Sequence, residues 1–281
     1  KLKESERTAT HSGKRDDRLV FTEQHAGHEY KGIAALAIAG RVLRNYNGAL
    51  ATECVQTAEA LWKQERDTGR AFRDKVVAGV ELLLTTRKPE YRDFLVQSRT
   101  QIVAGIGGTG WAIGRALPLI EDAGFKEEIK AAVTTHFAGV EKQQRENPFG
   151  VPYRPRIWGA GWDIQRFGVE QYFLHASFPD VVSTEYMLNA LNFVLGCHPG
   201  ENTASFASGV GSRSMTIAYG FNRADRSYIP GGVVSGTALI RPDFPEMKDF
   251  PYLWQQTEYV LGGGATNFMF LVLAADQVLN Q

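Results

Sequence analysis

The 281-residue chain lacks several features that would each point to a class of protein. It has two cysteines, Cys54 and Cys197, too few for a disulfide scaffold or a four-cysteine zinc site. Neither charge is in excess, with 31 Lys+Arg against 31 Asp+Glu, whereas a protein that neutralises phosphates carries a basic surplus or stripe. No apolar run reaches the roughly 18 residues of a membrane-crossing helix. Neither a nucleic-acid partner nor a membrane span is therefore expected. Alternating apolar and polar runs of strand length are missing too. What remains is 43% hydrophobic and 22% charged, the composition of a globular protein with a sizeable core.

Ten of the first eighteen residues, KLKESERTATHSGKRDDR, are charged. Such a stretch buries too little apolar surface to offset its ordering entropy. Residues 1–26 read as a charged linker or arm, which leads us to expect a preceding segment of the same protein. From residue 27 to residue 281 helical periodicity dominates. Ile33, Leu36, Ala37, Gly40 and Leu43 share a face, Asn45–Gly48 turn the chain, and Leu50, Cys54, Ala58, Leu61 and Trp62 repeat the pattern. A third helix covers Phe72–Leu84 and stops before Pro89. A fourth runs over Tyr91–Ile106 to Gly107-Gly108, and a fifth over Trp111–Asp122 with Gly124 as its C-terminal cap. A sixth spans Phe125–Glu146. After the Pro-rich NPFGVPYRPR, helices resume over Trp162–Phe178, Asp180–Leu195 and Tyr252–Leu279, the last interrupted by Gly262-Gly263-Gly264. About nine helices joined by short turns read as α-hairpins packed side by side, an all-α fold.

Residues 197–251 break this rule. They show no sustained periodicity, yet carry Phe206, Met215, Tyr219, Phe221, Tyr228 and Phe244 among glycines and prolines. Loops longer than about 15 residues in a compact domain are usually functional or disordered, and this one is too aromatic for disorder. It is expected to close one end of the helical array and to carry the site. Next in the chain, Glu258 stands four residues before three consecutive glycines. A carboxylate there gains from a helix dipole, but glycines inside a helix also signal a break or a close approach by a ligand or backbone.

In their order these features resemble glycoside hydrolase family 9, an (α/α)6-barrel family that cleaves β-linked glucans. Leu195-Gly196-Cys197-His198-Pro199 is similar to that family's Leu-Gly-x-Asn-Pro, and Ser205–Gly211 to its Phe-Val-Thr-Gly-x-Gly loop. Phe221-Asn222-Arg223 stands where the family has His-His-Arg, followed by Pro230-Gly231-Gly232 for a Pro-Gly segment. Thr257–Ala265 lines up without gaps on Asn-Glu-Val-Ala-x-Asp-Tyr-Asn-Ala, which places the family's general acid on Glu258. Upstream, Asn147-Pro148 through Tyr153 and Trp158-Gly159 resemble an Asn-Pro-Tyr…Trp-Gly stretch. The likeness covers residues 147–279 most specifically and extends more weakly, as helices, to Gly27.

The resemblance implies (α/α)6-barrel hairpins and an inverting hydrolase of β-linked glucan or a related oligo- or polysaccharide. It implies no obligatory cofactor and admits a structural calcium ion, although no EF-hand-like loop is present. A secreted or periplasmic location follows from the family alone. Arg223, Asn222 and Arg226 are the candidate hydroxyl contacts. Trp158, Trp162, Tyr153 and Tyr219 are the candidate platforms for sugar rings, though aromatics are more often core. Arg's planar fork suits hydroxyls and a carboxylate equally, so uronide recognition stays open.

Departures matter as much. Phe221 and Asn222 replace paired histidines, Gly263 and Gly264 replace the Tyr and Asn beyond the acid, and the family's Asp-Ala-Gly-Asp, which holds the general base, has no counterpart. Asp122-Ala123-Gly124-Phe125 lacks the last aspartate and sits at a helix end. The barrel is therefore expected to be incomplete, with its N-terminal hairpins and its base in a part of the protein upstream of this chain. A different (α/α)-barrel enzyme, either a uronide hydrolase or a polysaccharide lyase, and a carbohydrate-binding remnant without its base are the alternatives. Two further patterns are weaker. His25 and His28 have metal-ligand spacing but no third ligand nearby, and Gly105–Gly110 lacks the strand and Gly-Lys ending of a phosphate loop, so it reads as a helix-to-helix turn.

Overall fold

A computed structural model of the chain describes residues 25–64, 71–146, 148–152, 160–199, 203, 205–214, 229–234 and 263–280. Among them there are ten α-helices, no strand and one isolated bridge between Ala207 and Val233. The expected all-α class is what the structure shows. The chain divides into two compact units, Lys1–Ser98 and Arg99–Gln281.

The first unit is built from α1 (Ala26–Val42), α2 (Gly48–Trp62), α3 (Phe72–Thr86) and α4 (Pro89–Gln97). A 3-10 turn over Leu43–Asn45 ends α1, and Asn47 starts α2 by accepting a bond from the Leu50 amide at 3.1 Å. The hairpin is tight because a Cβ at Gly40 would collide with Val55 and stand 3.0 Å from the Ala51 carbonyl. α3 is the central element, packed on α1 and α4, with Val76, Ala78, Val80, Leu82 and Leu83 all buried. One charge lies among them. Glu81 is 1% exposed and meets Arg41 of α1 at 2.7 Å; Arg41 also donates to the Thr85 hydroxyl, which donates in turn to the Ala37 carbonyl. Arg87 ends α3 in the left-handed region, and Pro89 opens α4, where a missing N–H costs nothing.

The second unit contains α5 (Arg99–Ala104), α6 (Ile106–Ala116), α7 (Ala123–Arg145), α8 (Ala160–Ser177), α9 (Glu185–Leu195) and α10 (Gly263–Leu279). Several expected boundaries are corrected here. The helix expected over Tyr91–Ile106 is two, α4 and α5, separated at Ser98. Gly107 and Gly108 do not stop a helix but lie inside α6, and only Gly105 makes the turn. Close packing explains the glycines: a Cβ at Gly107 would stand 2.7 Å from the His136 ring of α7, and one at Gly114 2.7 Å from Ser177 of α8. The expected fifth helix ends early at Ala116, through a 3-10 turn over Leu117–Leu119. Gly124 is no C-cap. Asp122 is instead the N-cap of α7, accepting from the Phe125 amide at 2.8 Å and pairing with Arg99 at 2.7 Å. The Phe125 bond first, and then Arg99, hold the Asp122 carboxyl below the usual carboxylate range.

α8 and α9 form a hairpin, and α10 packs on both. α9 begins at Glu185 rather than at Asp180, after a turn in which the Val182 amide donates to the Phe178 carbonyl. It ends where Gly196 takes a left-handed conformation and the Cys197 amide reaches the Asn192 carbonyl at 2.8 Å. The shared core is Met187 and Leu191 of α9 with Leu271, Ala274 and Ala275 of α10, flanked by Val169 and Tyr172 of α8. Gly168 permits this contact, since a Cβ there would stand 2.8 Å from Ala190 and 2.9 Å from Leu271.

Candidate functional site

The described parts of the long connection, 205–214 and 229–234, are tied to the end of α9 and to each other. The Phe206 amide donates to the Val194 carbonyl at 2.8 Å, and the Ser212 amide to the Leu195 carbonyl at 2.8 Å. Gly211, at φ +88, makes this approach possible, because a Cβ there would collide with the Leu195 carbonyl and crowd Ser205 at 2.7 Å. The second segment is held by the Val234 amide donating to Phe206 at 2.9 Å and the Ser208 amide to Gly232 at 2.9 Å. Two buried serines complete the tether. Ser205 Oγ donates to the Ala207 carbonyl at 2.9 Å, and Ser208 Oγ donates to the carbonyls of Ile229 and Gly232. Sequence reasoning did not single out either serine; both flank the Phe206-Ala207 pair that becomes buried.

Trp162, in the first turn of α8, is the one candidate site residue among those described. It is half-buried and packs with Phe268 of α10 against Ala207 and Val233. Glu258, Arg223, Asn222, Trp158, Tyr153, Tyr219 and Arg226 lie outside the described residues. The described residues nevertheless fix where the segments that carry them begin and end. Residues 153–159 run into α8 just before Trp162, 215–228 connect Ser214 to Ile229, and 235–262 connect Val234 to the start of α10. Trp162, Val233 and Phe268, from those flanks, meet in one cluster beside the C-terminal end of α9. Of Gly262-Gly263-Gly264, expected to interrupt a helix over Tyr252–Leu279, Gly263 and Gly264 form the first turn of α10, while residues 252–262 lie outside the described residues.

Residues 148–152 are anchored at the same end of α9. Phe149 stands edge-on to Phe193 at 5.6 Å and to His198 at 4.9 Å, while His198 stacks on Phe193 at 5.8 Å. Burial between these rings lowers the His198 pKa, which favours its neutral form. Phe206 packs on Phe193 at 5.4 Å from the loop side. The Leu195–Pro199 and Ser205–Gly211 motifs are thus neighbours in space, as two parts of one aromatic and backbone-bonded knot.

Other candidates resolve simply. His25 and His28 stack at 4.1 Å, and His25 Nδ1 accepts the His28 amide as the cap of α1. Their spacing is that of a helix cap. No group of three or more His, Cys, Asp or Glu able to hold a metal occurs among the described residues. Cys54 is buried, Cys197 is exposed, and both are free thiols. No helix among the described residues is long and apolar enough to cross a membrane.

No known family model and no curated protein match this sequence. Solved structures do match. The glycoside hydrolase family 9 endoglucanase J30 is similar over 89% of this chain and 54% of its own, at 17% identity and a TM-score of 0.68. AaCel9A, solved with the cellobiose-like isofagomine, is similar over 88% of this chain and 54% of its own, at 15% identity and a TM-score of 0.68. The cellulase Cel9M of C. cellulolyticum is similar over 90% of this chain and 64% of its own, at 17% identity and a TM-score of 0.63. The chain therefore has the fold of the family 9 endoglucanases and spans about half the length of the first two of these structures. This is the (α/α)6-barrel type of fold, in part, that the motifs implied.

Proposed function

We propose that the chain is the C-terminal part of the catalytic domain of an inverting glycoside hydrolase acting on β-linked glucan or a related polysaccharide. What carries the reading is a coincidence. A chain with the fold of the family 9 endoglucanases also places Glu258 on the general acid, and Ala265 on the last residue, when Thr257–Ala265 is laid without gaps on the family motif. Glu258 is the general acid: as a protonated carboxylic acid it donates to the leaving glycosidic oxygen while a carboxylate opposite activates water, the two about 6.5–9.5 Å apart. Arg223 and Asn222, with Arg226 beside them, hydrogen-bond the sugar hydroxyls. Trp158, Trp162, Tyr153 and Tyr219 supply ring faces for stacking. Neither step calls for a metal or an organic cofactor, since two carboxyl groups account for both proton transfers.

In this reading the general base is supplied by a segment upstream of this chain, a reading supported by the lack of an Asp-Ala-Gly-Asp tetrapeptide within residues 1–281. Residues 1–281 alone accordingly act as a carbohydrate-binding piece, and the complete protein acts as the hydrolase, outside the cytoplasm where polymeric glucan is met. The test is a pair of measurements with cello-oligosaccharides. Residues 1–281 bind them with little turnover, and addition of the upstream segment, in cis or as a second chain, restores hydrolysis with inversion at the anomeric carbon. Robust hydrolysis by residues 1–281 alone overturns the missing base. Retention of configuration overturns the inverting mechanism.

A further inference from the structure

Gln165, in the second turn of α8, is 0% exposed, yet neither its Oε1 nor its Nε2 has a hydrogen-bond partner among the described residues. A buried carboxamide without partners is costly enough that an apolar residue would ordinarily stand there. Its surroundings follow from the ridge it lies on. Three residues earlier, Trp162 packs with Phe268 of α10 against Ala207 and Val233. Three residues later, Gly168 comes against Ala190 of α9 and Leu271 of α10. Gln165 therefore falls on the side of α8 that meets both helices. α10 runs parallel to α8, since Trp162 meets Phe268, Gly168 meets Leu271, and Tyr172 donates to Gln277 at 3.2 Å. α9 runs the other way and ends beside Trp162, where Phe206, next to Ala207, bonds to the Val194 carbonyl. Side chains on a helix lean toward its N-terminus, so the Gln165 amide reaches the level at which α10 begins and α9 ends. A helix start presents N–H groups and a helix end C=O groups, and a carboxamide accepts with one atom and donates with the other.

We infer that Gln165 is a positioning residue that ties the start of α10 to the end of α9 through two buried water molecules. One water donates to Oε1 and accepts from an amide in the first turn of α10. The other accepts from Nε2 and donates to the second lone pair of a carbonyl in residues 192–195. The bridge fixes the point at which the connection 235–262 enters α10, one turn of α8 away from Trp162. That this point matters to catalysis rests on the reading of Glu258 and Trp162 given above.

A crystal structure of the complete protein is expected to show a water within about 3.2 Å of each amide atom of Gln165. A direct protein or sugar partner for either atom, or no partner at all, overturns the inference. Gln165→Met keeps the length of the side chain without its amide. In that variant the first turn of α10 is expected to fray, with hydrogen exchange at the Asn267, Phe268 and Met269 amides about tenfold faster and a lowered unfolding midpoint. Deleting an amide that bonds to nothing would instead leave exchange unchanged and raise the midpoint, and that result overturns the bridge. With cello-oligosaccharides the variant should lose roughly tenfold or more in kcat while KM stays within about twofold; an unchanged kcat overturns the positioning role. Waters and exchange are read without turnover. A complete protein that shows both and hydrolyses no glycan refutes the hydrolase reading and supports the bridge.

Discussion

Single residues in this chain do their work through what they approach. The Arg41–Glu81 pair shows this in the first unit, where a carboxylate 1% exposed meets the Arg41 guanidinium, itself positioned by its bond to the Thr85 hydroxyl. Replacing such a pair with apolar groups can be neutral, but removing one partner strands a buried charge. Arg41→Ala is therefore expected to lower unfolding free energy by about 3 kcal/mol in a denaturant titration, well beyond the effect of Arg92→Ala at the exposed pair with Asp93. Asp122 gives a pH-dependent counterpart. Its folded pKa is depressed by the Phe125 amide and then by Arg99, so its stabilisation is present above the unfolded carboxylate pKa and is lost as pH falls through the folded value. Asp122→Asn keeps a capping oxygen but loses the charge. The variant is expected to differ from the parent in midpoint at neutral pH and to converge with it in acid, and a constant difference across that range would remove the carboxylate from the account.

At the scale of elements, the loop over the end of α9 is held mostly by backbone bonds, and its glycines are the points where it is most easily tested. Gly211 and Gly231 both take positive φ, but only Gly211 is crowded, while a Cβ at Gly231 would meet nothing. Gly231→Ala is expected to cost about 1–2 kcal/mol from conformation alone. Gly211→Ala adds a collision with the Leu195 carbonyl, so the Phe206 and Ser212 amides should lose hydrogen-exchange protection in that variant and keep it in Gly231→Ala. These elements also show what a sequence can and cannot disclose. The inward faces of α1 and α3 were legible because Ile33, Ala37, Val76 and Val80 repeat at helical spacing. The glycines of α6 were misread as a turn because their reason, the close approach of His136 and Ser177, exists only in tertiary contact. Asp122 was placed at a helix end rather than a helix start because Gly124 imitates a C-cap in sequence. For the site, the order of motifs was legible, and the knot that brings Leu195–Pro199 against Ser205–Gly211 was not. It is made by main-chain bonds such as Phe206 to Val194, which no side-chain pattern announces.

For the molecule as a whole, the open question is whether a chain with half of a known fold carries half of its chemistry, and Glu258 is where that can be measured. An acid that protonates the leaving oxygen matters in proportion to how poor the leaving group is. General acid–base catalysis contributes about 10²–10⁴-fold, and an aryloxide that departs without a proton needs little of it. In the complete protein, Glu258→Gln is expected to lower kcat on cello-oligosaccharides by about 10²-fold or more, while an activated aryl β-glycoside suffers far less. The pH profile separates this from damage to binding. A protonated acid sets the alkaline limb of the rate profile, so with the oligosaccharide the parent should lose activity as Glu258 deprotonates, and the variant should lack that limb. On the proposal that the base is supplied from upstream, the same substitution in residues 1–281 alone should leave glycan affinity within about 1 kcal/mol and change turnover hardly at all. Equal losses on both substrates, with the alkaline limb retained, would place Glu258 outside the mechanism.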